Sequence, residues 1–106
     1  MTLCVWRPRA REDRKAEVRY YRETAGPDVA ARLVRALASA QQALTSHPGI
    51  GSPRLGQLLG IAGLRTWRIE GFPLSCWYVE RSGVVDVVRL IGHRQDPGGI
   101  SLPGEP

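Results

Sequence analysis

Leu74-Ser75-Cys76-Trp77-Tyr78-Val79-Glu80-Arg81-Ser82-Gly83-Val84-Val85-Asp86-Val87-Val88-Arg89-Leu90-Ile91-Gly92 reads as two β-strands joined by a tight turn. Trp, Tyr, Val and Ile dominate both runs, and such side chains suit a pleated, half-buried surface. Ser82-Gly83 is a two-residue hairpin turn, which predicts an antiparallel pair with Trp77 opposite Val88 and Tyr78 opposite Val87. Upstream, Leu64 to Glu70 has the same period of two, and Gly71-Phe72-Pro73 separates it from Leu74. The C-terminal half therefore predicts three strands, over 64–70, 74–81 and 84–92. Alternation places Trp77, Val79, Val88 and Leu90 on one face and Leu74, Cys76, Tyr78, Val85, Val87 and Ile91 on the other. Both faces are apolar, so both need a cover.

Before Gly63 the period is that of a helix. Val29, Leu33, Leu37, Ala40 and Leu44 recur at intervals of four, four, three and four, one apolar stripe on a 3.6-residue repeat. His47-Pro48-Gly49 stops this helix, and His47 is placed there as a capping residue. Gly26-Pro27-Asp28 starts it and also ends a preceding charged helix, Arg9 to Thr24, since Gly permits a stop, Pro suits a first turn and Asp faces the positive helix end. The first helix has a thin stripe, Ala10, Val18, Tyr21 and Ala25, with Arg14 in the slot an aliphatic residue would complete. Residues 3–7, an apolar run closed by Pro8, predict an edge strand. Ile50 to Leu59 reads as loop with one helical turn. The fold class is α+β: an N-terminal strand and helical hairpin packed on a small antiparallel sheet. One hairpin covers one face, so a partner outside the chain is expected on the other face or a groove beside it; the alternative is that loops and the tail fold over it.

Length bounds the rest. A chain of 106 residues holds one core of useful size, read as a single domain over 1–97 with a flexible Gly/Pro-rich tail over 98–106. Fifteen basic residues against ten acidic ones, a net charge of +5, favour polyanions or an acidic partner. All the basic residues but Lys15 are Arg, whose planar fork suits phosphate and carboxylate, although genomic base composition produces the same bias. Cys4 and Cys76 form neither a disulfide framework nor a zinc motif; two thiols on strands read as small buried apolar residues. No run approaches the roughly 20 apolar residues of a membrane span, and no signal peptide is visible, so a cytoplasmic protein without a membrane partner, metal or cofactor is expected. Gly49-Ile50-Gly51-Ser52-Pro53-Arg54 lacks the Gly-Lys-Ser/Thr ending of a phosphate loop.

The words at the junctions carry a resemblance. They are Trp6-x-Pro8-x-Ala10, Gly26-Pro27-Asp28-Val29-Ala30-x-Arg32-Leu33, His47-Pro48-Gly49-Ile50-Gly51, Gly63-Leu64-Arg65-x-Trp67, Gly71-Phe72-Pro73-Leu74 and Val88-Arg89-Leu90-Ile91-Gly92-His93-Arg94-Gln95-Asp96. In this order, over about residues 5 to 97, they resemble the RelE/ParE superfamily of type II toxins, and its ParE-like plasmid-stabilisation branch most closely. The resemblance implies a toxin neutralised by a ParD-like or RelB-like antitoxin, whose acidic, disordered tail would lay a helix into the hairpin groove and add a strand to the sheet. Val18, Tyr21, Leu74, Cys76, Tyr78, Val85 and Val87 are the candidate antitoxin contacts.

Two modes of action are implied. RelE-like members cut messenger RNA in the ribosome, a metal-free chemistry needing a base for the 2′-hydroxyl, cations on the phosphate and an acid for the leaving oxygen. ParE-like members are similar in fold and poison DNA gyrase without being nucleases. The candidate cluster for catalysis is Arg65, Arg68, Arg89, His93 and Arg94. However, Pro73-Leu74-Ser75-Cys76 stands where a RelE-like strand arginine would lie, and the Pro/Gly tail soon after Asp96 offers no counterpart to a catalytic Tyr or Lys from a C-terminal helix. The non-enzymatic gyrase poison is therefore the favoured reading; a ribosome-dependent endoribonuclease and a non-toxic binding module are the alternatives. Arg89, inside an apolar strand, requires either a carboxylate such as Glu70 or Glu80 or a functional contact. Trp67 and Trp77 read as core aromatics, with base stacking as the alternative.

Overall fold

A computed structural model describes residues 2–94, 97–100 and 102. Its order is β1 (Leu3–Trp6), α1 (Pro8–Ala25), α2 (Pro27–Ser46), α3 (Arg54–Leu59), β2 (Leu64–Arg68), β3 (Leu74–Arg81) and β4 (Val84–Gly92), followed by a 3₁₀ turn, Pro97–Gly99. The strands lie in the order β1-β4-β3-β2. β2, β3 and β4 form an antiparallel meander, whereas β1 runs parallel to β4, with Leu3 beside Val84 and Trp6 beside Val87. The sheet is thus mixed rather than wholly antiparallel, because the helical hairpin and meander carry the chain back before β4 meets β1.

Proline opens both helices of the hairpin, where its missing N–H is one the helix cannot use. Gly26 is the hinge. At φ 95° its N–H closes α1 on the Arg22 carbonyl and its own carbonyl accepts from Ala30. The α2 stripe behaves as its period requires: Ala30, Leu33, Leu37, Ala40 and Leu44 are buried, with Val29 packed at the margin. The β3–β4 turn has φ 52° at Ser82 and 78° at Gly83, the paired positive values of a type I′ turn that matches strand twist.

One residue departs from the expected register. Tyr78 faces Val87 as predicted, but Trp77 faces Arg89, leaving Val88 as a bulge on β4. A bulge reverses which face later residues occupy. Leu90 consequently joins the helical side and Ile91 the opposite side, the reverse of strict alternation.

The main core lies between the hairpin and the sheet, around Trp6, Leu33, Leu37, Leu44, Ile69, Leu74, Cys76, Tyr78, Val85, Val87 and Leu90. A second core of Leu64, Trp77, Val79, Val88 and Ile91 lies on the opposite face. Its cover corrects the expectation of an outside partner: Leu55 and Leu59 of α3, Ile61, Ile100 and Leu102 pack over it. Within the tail expected over 98–106, Ile100 and Leu102 pack on this face; residues 101 and 103–106, and Gln95-Asp96, lie outside the described residues.

Candidate functional site

The five candidate cations do not converge. Arg89 is 5% exposed and forms a two-point ion pair with Asp13 of α1, Nε to Oδ2 at 2.7 Å and Nη2 to Oδ1 at 3.1 Å. Asp13 also accepts the Leu90 N–H at 3.0 Å, capping β4 just beyond the reach of β1. A buried arginine needs such a partner, and the partner comes from the first helix rather than from Glu70 or Glu80, both exposed.

Arg65 is also committed locally. Its Nη1 donates to the Gly51 carbonyl at 2.7 Å. The Gly51 N–H donates to the Tyr78 hydroxyl at 2.9 Å, and that hydroxyl donates to the Pro48 carbonyl at 2.7 Å. Only glycine fits there, since a Cβ at position 51 would stand 2.6 Å from the Tyr78 oxygen and 2.8 Å from the Thr66 carbonyl. These bonds seal the loop after α2 onto β2 and β3, and burial, the first cause, raises the Tyr78 pKa.

The other three candidates, Arg68, His93 and Arg94, lie along the chain where β2 ends and just after β4 finishes. Arg68 pairs with Ser75 in register, and the Ser75 hydroxyl meets His93 Nε2 at 2.8 Å. The His93 N–H donates to the Pro73 carbonyl at 2.9 Å. His93 and Arg94, both exposed, form one wall of a cleft of about 450 Å³ whose other wall is Glu17, Tyr20 and Tyr21 of α1. Burial foremost, then the Asp13 charge, raises the Glu17 pKa. Tyr21 is raised by burial and by Glu17 and Tyr20, with Arg94 acting in the opposite sense.

A second concavity runs along the helical hairpin, about 500 Å³ in volume. Val18, Val34 and Leu37 contribute its apolar lining and Arg14, Lys15, Arg19 and Arg22 its basic rim. Val34 is 51% exposed, an aliphatic side chain left open in a lined groove. Arg14, the misfit in the α1 stripe, places its guanidinium 4.5 Å from the Trp6 ring centroid, a cation–π contact. The Trp6 indole N–H donates to Gln41 Oε1 at 2.9 Å, tying β1 to α2. The spacing of Lys15, Arg19 and Arg22, four then three, marks one helix face and is the signal by which this rim can be read from sequence.

Among the expected antitoxin contacts, Val18 lines this groove and Tyr21 lines the cleft on the other side of α1. Cys76, Tyr78, Val85 and Val87 are 0% exposed, and Leu74 is 2% exposed at the cleft's edge. The chain's own helices cover these five residues, so they present no open sheet face. Burial raises the Cys76 thiol to about 12 and the Cys4 thiol to about 11, so both stay protonated near neutrality and neither is a ready nucleophile. Trp77 belongs to the second core and Trp67 packs against the first. His47 is the C-terminal cap of α2, its backbone N–H donating to the Ala43 carbonyl at 2.9 Å. No helix among the described residues is long and apolar enough to cross a membrane.

No curated protein sequence matches this chain. Among solved structures, a chromosomal ParDE toxin–antitoxin system from P. aeruginosa superposes with a TM-score of 0.71, covering 87% of this chain and 96% of that one at 22% identity. That likeness is one of fold, an α+β fold with the same architecture. The family model for the ParE toxin of type II toxin–antitoxin systems, parDE, matches residues 4–97. From β1 to the turn after β4, then, this chain belongs to the ParE toxin family of type II toxin–antitoxin systems.

Proposed function

We propose that the chain inhibits DNA gyrase in the cytoplasm and is held inactive by a cognate ParD-like antitoxin. The observation that carries the first half is the dispersal of the cations. Arg89 is engaged by Asp13 and Arg65 by the Gly51 carbonyl. Cleaving RNA without a metal requires several positive groups on one phosphate as charge builds. That chemistry is poorly served when two of the five candidate residues serve the fold.

The hairpin groove supports the second half. Its apolar lining and four basic rim residues complement an amphipathic helix with acidic flanks, the form a disordered acidic tail takes on folding against a partner. The ParDE system to which the fold is similar suggests the kind of partner.

The test uses the purified chain in two parallel reactions. With gyrase, ATP and plasmid DNA, it is expected to inhibit supercoiling or trap cleaved DNA, and an equimolar antitoxin is expected to reverse the effect. With ribosomes and message, the message is expected to stay intact. Cut messages and unaffected gyrase would replace this reading with a ribosome-dependent endoribonuclease, and no effect in either reaction with a bound antitoxin would leave a non-toxic binding module.

A further inference from the structure

The cleft between α1 and the end of the sheet lies across α1 from the hairpin groove. It has three chemical features. The first is aromatic: Tyr20, 50% exposed, stands edge-to-face on Tyr21 at 5.2 Å, and Tyr21 stands likewise on Phe72 at 5.2 Å. Phe72 is buried in the main core, so the outermost ring leans on an anchored series of edge-to-face contacts and offers the cleft an aromatic wall.

The second feature is basic, one guanidinium and one imidazole. His93 is oriented by its backbone bond to Pro73 and by Ser75 on Nε2, leaving Nδ1 for another partner. Arg94 beside it has no hydrogen bond or ion pair among the described residues. The third is a two-oxygen acceptor: the Glu17 carboxylate, half-buried in the opposite wall, likewise has no such partner. A bare phosphate or sulfate uses the cations but is repelled by Glu17, and an amine uses Glu17 but is repelled by Arg94. A ligand that satisfies all three carries a planar ring, an anionic group and two adjacent N–H donors.

Among the common nucleobases, guanine alone presents two neighbouring donors, N1–H and N2–H, on its Watson–Crick edge, and a carboxylate accepts both. Adenine, cytosine and uracil each set an acceptor beside the donor, against a carboxylate oxygen. The volume, about 450 Å³, falls within the range of small-ligand clefts. We propose that this cleft binds a guanine nucleotide, with the base stacked on Tyr20, its two donors on Glu17 and its phosphate on Arg94 and His93. The same chemistry is supplied by a free mononucleotide or by an unpaired guanine in a strand.

Calorimetric titration of the full chain tests this, with 5′-GMP, 5′-AMP and inorganic phosphate as probes. GMP is expected to saturate the site, AMP to bind at least about 10-fold more weakly, as expected for loss of a bidentate base contact, and phosphate not to saturate. Glu17→Gln is expected to bring GMP and AMP to similar affinities, and Arg94→Ala to weaken both alike. Both positions are off the core, and unchanged thermal melts of the variants establish that the fold is intact. Equal affinity for GMP and AMP, absence of saturation by GMP, or a GMP preference that survives Glu17→Gln would each overturn the proposal. A short single strand holding one guanine among adenines separates the sources: tighter binding than GMP assigns the site to a strand, and equal or weaker binding assigns it to the free nucleotide. An all-adenine strand that binds as well as the guanine strand would also overturn it.

Discussion

Tyr78→Phe removes one oxygen and tests whether the loop after α2 is held as described. In the native chain the hydroxyl accepts from the buried Gly51 N–H at 2.9 Å and donates to the Pro48 carbonyl at 2.7 Å. The ring is 0% exposed and keeps its packing in the variant, so the loss is confined to two hydrogen bonds. A buried donor left without a partner costs about 1–3 kcal/mol, and the half-buried Pro48 carbonyl can recover water, so the expected destabilisation is about 2 kcal/mol. With an unfolding entropy of about 2.1 cal/mol/K per residue, a chain of 106 residues loses roughly 9 °C in Tm. Arg65→Ala removes the neighbouring bond to the Gly51 carbonyl and, half exposed, is expected to cost about 1 kcal/mol. Because both act on one loop, the double variant should lose less than the sum. Thermal melts followed by circular dichroism measure all three. A Tyr78→Phe shift within error refutes the loop's attachment through the hydroxyl, and an Arg65→Ala variant of native stability that has lost its action on the target refutes the assignment of Arg65 to the fold.

Asp13→Asn withdraws the carboxylate that holds Arg89 and caps the Leu90 N–H, and a cost of about 3 kcal/mol is expected for breaking a buried ion pair from one side, read from the urea midpoint. Val34→Glu places a charge in the open lining of the hairpin groove; it should leave the melt unchanged and weaken antitoxin binding at least about 10-fold by calorimetry, in line with loss of an interface anchor. Arg94→Ala is expected to reduce growth inhibition on induced expression while the antitoxin still co-purifies. The thiols predict a pH dependence: unfolded cysteines ionise near 9.0, whereas Cys4 and Cys76 ionise at about 11 and about 12 in the fold. The folded state holds these protons more tightly, so their contribution is complete below 9.0 and is lost as pH rises towards 12; a midpoint in urea that rises over that window contradicts it.

The parts of the fold that follow from local rules were legible in the sequence. The α2 stripe, the Gly26-Pro27 junction and the Ser82-Gly83 turn each depend on residues within one element, and periodicity and turn chemistry report on that scale. The Val88 bulge was not legible because both faces of β4 are apolar: moving Leu90 and Ile91 across the sheet exchanges one aliphatic residue for another and leaves the binary pattern intact. The cover of the second face was hidden for a different reason. α3 has six residues and the 97–102 segment is rich in Pro and Gly, too short or irregular for any period. At the site, the basic character of the β4 end was visible, but the partner of Arg89 was not, since Asp13 lies 76 positions away.

The two concavities flanking α1 divide the work of that helix and account for its thin apolar stripe. A helix that packs on a core along one face needs only Ala10, Val18 and Tyr21 on that side, and Asp13 on the same stretch secures the sheet edge. This leaves two lateral strips uncommitted to the fold. One strip, Arg14, Lys15, Arg19 and Arg22, borders the hairpin groove; the other, Glu17 and Tyr20, borders the cleft with His93 and Arg94. Arg14 in the stripe is then no defect. Its guanidinium over Trp6 covers the end of the core with a group that still faces outward, so the position an aliphatic residue would close remains a charged margin of the groove. Filling it with Leu would add apolar cover and remove one of the four basic groups an acidic partner meets.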